Sequence, residues 1–121
     1  MENTKTERDL SARTKTFALR IIKMYSALSR STVAQVLGKQ VLRSGTAIGA
    51  NYREANRGRS TAEFAAKMGD CLKELDETDY WLALLVEAGI VSSKRLAPLQ
   101  NETNQLIAIF VTIIKRTKQK M

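Results

Sequence analysis

Three groups of basic side chains are spaced for contact with a polyanion. Arg13 and Arg20 are seven residues apart, two helical turns along one line, and Lys23 lies close by. Arg53 and Arg57 are one turn apart, with Arg59 just beyond them. Lys115 and Arg116 begin a basic C-terminal run that includes Lys118 and Lys120. Such arrays hold phosphates by charge and hydrogen bonding without reading base sequence. The same residues serve equally well as a solvated surface, or as partners for carboxylates elsewhere in the fold.

Other chemistry is thinly represented. Glu74, Asp76, Glu77 and Asp79 could hold Mg²⁺ if two of them faced a cleft. With ordinary helical spacing and no histidine in the chain, a solvated or salt-bridging face explains them better. The absence of histidine also removes the usual zinc and haem ligand and the usual general base. Cys71 falls within an apolar stripe and has no base beside it in sequence, so it reads as core. No metal, cofactor or catalytic residue is expected, and the chain is read as non-enzymatic.

The stretch "GTAIGAN", Gly45 to Asn51, lacks the lysine and the spacing of a phosphate loop. Gly45 and Gly49 share one helix face, where each weakens the helix by about 0.8–1 kcal/mol relative to alanine. The compensation is close approach of another backbone, aided by Ala47 and Ala50. Ser44 and Asn51 are seven apart in an otherwise apolar stripe and are expected as a polar core pair that fixes register. Trp81 lies one position off its stripe, at a helix–helix or subunit seam.

These residues must be positioned by 121 residues with one proline, six glycines, 44% hydrophobic and 26% charged side chains. That mix suits one globular, all-helical domain spanning 1–121, with an ordered core from about 7 to 118 and frayed ends. Four segments carry helical periodicity. The first runs from Glu7 to Leu28, with Phe17, Ile21, Met24 and Leu28 at helical steps. The second runs from Val33 to Asn56 on a stripe of Val33, Leu37, Val41, Ile48 and Ala55, with Gly58 as its stop. The third begins at Ser60 or Thr61, where Ser60 and Glu63 form a capping box, and stops at Gly89. The fourth runs from Ser92 or Ser93 to Lys118. Pro98 is harmless there in a first turn and kinks the helix further in. Short connections make this an antiparallel up-down-up-down four-helix bundle.

The net charge of +8 is unevenly placed. Residues 8–59 carry eleven Lys/Arg against Asp9 and Glu54, whereas residues 60–93 carry two lysines against seven carboxylates. Residues 94–121 carry six Lys/Arg against Glu102. An acidic third helix between basic ones can pair within a subunit or between copies. The longest apolar run, Leu106 to Val111, is far shorter than the roughly 20 residues that span a bilayer. A single cysteine and no signal peptide suggest a soluble, cytoplasmic protein with no membrane partner.

Gln40 to Val91, "QVLRSGTAIGANYREANRGRSTAEFAAKMGDCLKELDETDYWLALLVEAGIV", together with "ETNQLIAIFVTIIK", Glu102 to Lys115, resembles the small four-helix-bundle proteins of the 23S rRNA intervening-sequence family. The resemblance covers Phe17 to Lys115. It is most specific at Arg43, Ser44, Ile48 and Asn51, at Arg59, Ser60, Glu63 and Phe64, and from Glu74 to Trp81. Much of the family ends its second helix Asn-Ile-Ala-Glu-Gly. Here Asn51 and Glu54 match that ending, while its glycine is Ala55.

The resemblance implies an up-down bundle that assembles as a homopentamer. Its architecture is similar to that of the accessory variability protein of diversity-generating retroelements, a basic pentamer that binds nucleic acid and a reverse transcriptase. The leading expectation is therefore a basic, oligomeric protein binding structured RNA or an RNA–DNA hybrid through phosphates. Arg13, Arg20, Lys23, Arg53, Arg57, Arg59, Lys115 and Arg116 are its expected contacts. A reverse transcriptase is the protein partner that the resemblance suggests. The alternatives are an interaction scaffold and, more remotely, a Mg²⁺ nuclease using the third-segment carboxylates.

Overall fold

The computed structural model describes residues 4–121, so part of the expected N-terminal fraying lies outside the described residues. Four helices follow in order: α1 Thr4–Ser26, α2 Thr32–Asn56, α3 Thr61–Glu87 and α4 Ser93–Gln119. Each turn supplies an N-cap for the next helix. Ser31, Ser60 and Ser92 accept hydrogen bonds from the backbone N–H of Ala34, Glu63 and Arg95 at 3.2, 3.1 and 3.2 Å. Glu63 completes the box from the other side, but one residue further out than expected: its carboxylate accepts from the Arg59 N–H at 2.8 Å.

The α3 stop at Gly89 is as expected. Its φ of 74° lets Ile90 N–H reach the Leu85 carbonyl and Gly89 N–H reach the Val86 carbonyl, both at 3.0 Å. Gly58 is different. It does not adopt positive φ, and α2 is capped at Arg57. A Cβ at residue 58 would lie 3.1 Å from the Ala55 carbonyl oxygen, so the turn needs glycine for space. Pro98 falls in the second turn of α4, and the helix continues through it. α4 is helical up to Gln119. Thr117 is buried and donates to the Ile113 carbonyl at 2.8 Å, which keeps the last turn on the bundle.

Contacts fix the helix directions. Along α2 and α3, Arg43 meets Glu74 and Glu77, Ser44 meets Thr78, Ile48 meets Cys71, and Glu54 meets Lys67. Rising numbers on one helix meet falling numbers on the other, so the pair is antiparallel. The same holds for α1 on α2, where Tyr25 bonds Gln35 and Ile21 and Thr14 lie against Gly45 and Gly49. Tyr52 and Phe110 stack edge-to-face across the diagonal at 5.7 Å, setting α2 and α4 at one level. The result is the expected up-down-up-down bundle.

Its core is built by Phe17 and Ile21 from α1, Val41, Ile48 and Tyr52 from α2, Phe64, Leu75 and Leu82 from α3, and Leu96, Leu106 and Phe110 from α4. No helix among the described residues is long and apolar enough to cross a membrane.

α2 keeps the expected inner positions Val41, Ser44, Ile48 and Ala55 but departs from the sequence expectation in its first turns and at Asn51. Val33 is exposed and Leu37 half-buried, while Ala34 and Gly38 take the inner positions. Asn51 is half-buried at the edge of the stripe, and Tyr52 occupies the core. α1 and the turn after it pack on the small residues of α2 rather than on the large ones. A Cβ on Gly45 would stand 2.9 Å from Ile21 Cγ1 and 3.0 Å from Ile21 Cγ2, atoms that a buried, β-branched side chain cannot withdraw. On Gly49 it would stand 3.1 Å from the Thr14 hydroxyl.

Gly45→Ala should therefore lower stability by about 1–2 kcal/mol despite its better helix propensity. Gly69→Ala, at an exposed α3 position with open space around it, should raise stability by about 1 kcal/mol. Urea midpoints of the two variants should move in opposite directions.

Candidate nucleic-acid interface

The fold sorts the expected contact residues into three places. Arg13 is turned inward between α1 and α4. Its guanidinium grips Glu102 through two hydrogen bonds, at 2.7 and 2.8 Å, and reaches Gln105 at 2.9 Å. The hydrogen bonds from Arg13 hold the Glu102 carboxyl below its ordinary range; burial opposes this, while the charges of Arg13 and Arg20 reinforce it. Arg13 is reciprocally raised, chiefly by its hydrogen bond to Glu102. Arg13 is thus a structural latch across the α1–α4 seam, and Arg20 lies within the field of the same carboxylate.

Arg20 and Lys23 lie at the end of the bundle holding the α1–α2 and α3–α4 turns. They line a groove of about 400 Å³ between α1 and α4 together with Arg95. The remaining five, Arg53, Arg57, Arg59, Lys115 and Arg116, lie at the opposite end. They are remote in sequence, but α2 and α4 run in the same direction and both finish there, across the diagonal of the bundle. All five are exposed, and none has an ion-pair partner among the described residues. From this end a groove of about 620 Å³ runs between α1 and α2, lined by Arg53, Lys15, Ser11, Thr14, Thr46 and Gly49. No carboxylate lines it. It exists because Gly49 and Ala50 leave the α1–α2 crossing without bulk. Beside the α2–α3 turn the field is mixed, since Glu54, Glu63 and Asp70 share a pocket with Arg57, Arg59 and Lys67.

The acidic segment is partly consumed within the chain. Arg43 bonds Glu74 at 3.1 Å and Glu77 at 2.6 Å, and its guanidinium is held more basic than usual, first by the Glu74 bond. Arg43 was not among the expected contacts. It is an exposed clasp on the α2–α3 seam, one turn from the buried Ser44–Thr78 pair. Those hydroxyl oxygens are 2.9 Å apart, and Thr78 is also 2.8 Å from the Glu74 carbonyl. Both distances are met when Thr78 donates to the carbonyl and Ser44 donates to Thr78. Ser44 is thus a buried polar residue with a core hydrogen bond, and its partner is Thr78 of α3.

The thiol of Cys71 is buried, donates to the Ile48 carbonyl at 3.6 Å, and is pushed up to about 12, first by burial and then by the charge of Asp70. It is a core residue, as expected. Among the described residues no group of three Cys, Asp or Glu side chains could hold a metal ion. The indole N–H of Trp81 and the Asn56 carboxamide are enclosed without a hydrogen-bond partner.

Proteins of the 23S rRNA-intervening sequence family match the chain over residues 7–112. The crystal structure of a protein with unknown function from the S23 ribosomal protein family of Bacteroides thetaiotaomicron VPI-5482 is similar, with a TM-score of 0.84 and 36% sequence identity. That likeness covers 90% of this chain and 97% of the other. No curated protein matches.

Because folding depresses Glu102, its contribution is complete above the unfolded value near 4.5 and is lost as pH falls through the lower folded value. Glu102→Gln should cost about 1 kcal/mol at pH 7, a partly exposed bidentate pair. Urea titrations of the two proteins should converge as pH drops below about 4.

Proposed function

The chain belongs to the 23S rRNA-intervening sequence protein family, and from that premise we propose that it is a non-enzymatic, oligomeric protein that binds nucleic acid through phosphate contacts. The observation that carries this reading is the gathering of Arg53, Arg57, Arg59, Lys115 and Arg116 at one end of the bundle, exposed and without ion-pair partners among the described residues. The α1–α2 groove continues that surface with Lys15 and three hydroxyl-bearing residues, Ser11, Thr14 and Thr46. Cations on helices hold phosphates at fixed spacing without specifying bases, so shape selects the ligand. Structured RNA or an RNA–DNA hybrid, each presenting two backbones to a broad basic end, fits better than an extended single strand. The aromatic side chains on which unpaired bases would stack are missing from both lining sets.

The oligomer, pentameric in this reading, multiplies the field. Each copy adds a net charge of +8, and the basic ends of a ring face one way. Arg13 leaves the set of contacts because Glu102 holds it. The buried Cys71 thiol, raised to about 12, offers no nucleophile. A reducing compartment, the cytoplasm, is consistent with that lone thiol. A protein partner such as a reverse transcriptase would dock away from the basic end, on exposed apolar positions such as Leu19, Ile22, Val33 and Val36.

Binding of a labelled RNA hairpin should weaken steeply between 50 and 200 mM salt. Arg53→Ala with Arg57→Ala and Arg59→Ala should lower affinity to a similar extent for unrelated hairpins and reduce the salt slope by about one per lost contact. Arg13→Ala should leave the slope unchanged. Salt-independent binding, or none, would replace this reading with an interaction scaffold.

A further inference from the structure

We propose that copies of this chain join head to tail, the acidic outer strip of α3 on one copy seated in the groove between α1 and α4 of the next. This rests on the oligomeric part of the reading above and names the two faces that make the contact.

The groove is left open by the chain's own packing. α1 and α4 touch over only a short stretch, while the other three neighbouring pairs pack along their lengths. The opening of about 400 Å³ has an aliphatic floor that includes Met24, Leu96 and Leu99, and a rim of Arg20, Lys23 and Arg95; no carboxylate lines it. An aliphatic floor with a cationic rim suits an acidic helix carrying some apolar surface. It suits a nucleic acid poorly, because phosphates would leave the floor wet and no aromatic ring there can stack a base.

The strip is the matching surface. Asp76, Tyr80 and Glu87 lie about half a helical turn, and Asp79 about a third of a turn, from Cys71, Glu74 and Thr78, which face α2. They therefore point away from α2. Tyr80 is 58% exposed, and the three carboxylates have no ion pair among the described residues. Charge decides the symmetry. Residues 60–93 carry two lysines against seven carboxylates, and both flanks are strongly basic. A two-fold contact centred on either face would set that face against its own like, whereas a head-to-tail contact sets acid on base.

Geometry agrees. The strip runs toward the α3–α4 turn, and Arg95 and Lys23 lie at that same end, so copies standing side by side meet at one height. Strip and groove occupy neighbouring sides of the bundle that share α4. Joining such sides turns each copy by roughly a right angle, which closes a ring at about four or five copies. The opposite, arginine-rich end is left free for nucleic acid.

The test is solution mass by light scattering on four proteins: wild type, Lys23→Glu/Arg95→Glu, Asp76→Lys/Asp79→Lys, and the variant with all four changes. All four positions lie outside the core, and circular dichroism checks that each protein folds. Wild type should be a multiple of 13.5 kDa, each double variant a monomer, and the four-change variant a multimer again. A monomeric wild type would overturn the oligomer and this contact together. A multimeric wild type whose double variants stay multimeric would overturn the contact alone. Failure of the four-change variant to reassemble would overturn the pairing of these two faces. A tenfold loss of hairpin affinity in Lys23→Glu/Arg95→Glu, with the multimer intact, would assign the groove to nucleic acid instead.

Discussion

The arrangement turns on how close α1 comes to α2. Ile21 occupies the space where Gly45 would carry a side chain, and Thr14 does nearly the same at Gly49. A helix drawn this far toward one neighbour is drawn away from the other, and the α1–α4 seam is correspondingly sparse. What the seam lacks in apolar contact it receives from the bidentate Arg13–Glu102 pair. Both grooves follow from the same crossing. One lies above the small residues of α2, and the other lies where α1 parts from α4. Two glycines, each unfavourable in its own helix, thus shape the surfaces on which any function must be built.

The same geometry divides charges that look alike in sequence. Arg13 and Arg43 are spent on Glu102, Glu74 and Glu77, and Lys67 is 3.6 Å from Glu54. These pairs are partly exposed and contribute modestly to stability. Their larger effect is to remove cations from the surface in the middle of the bundle, so that the unpaired ones concentrate at its ends. The free cations are thus gathered toward the two ends of the bundle, although the chain is basic over most of its length.

Local signals were legible, and long-range ones were not. Ser31, Ser60 and Ser92 as caps, and Gly89 as the left-handed stop, follow from chemistry within a few residues of each helix end. The first turns of α2 escaped because their inner positions are Ala34 and Gly38, which contribute little to any hydrophobic pattern, while Val33 looks like core and is exposed. Asn51 was placed in the stripe with Ser44, but its neighbour Tyr52 fills the core at that level. The Arg13–Glu102 latch joins residues 89 apart, and nothing near Arg13 distinguishes it from Arg20. The resemblance of the whole chain carried the fold further than any motif, since order and spacing constrain topology whereas a single arginine constrains nothing.

Helix polarity sharpens what the basic end can do. α2 and α4 finish there, and their free carbonyls carry partial negative charge, which Arg57 and Arg116 are placed to neutralise. Part of the positive field at this end is thus offset by the protein's own backbone. No helix of the pair presents free amides to a phosphate there, and the N-terminus of α3, which could, is occupied by Ser60 and Glu63. Affinity at this end must come from side-chain cations in number rather than from a built anion pocket. A single copy then offers a weak, sequence-blind surface, and several copies facing one way offer a strong one. On the proposed reading, assembly is the condition under which the arginine-rich end would become a binding site.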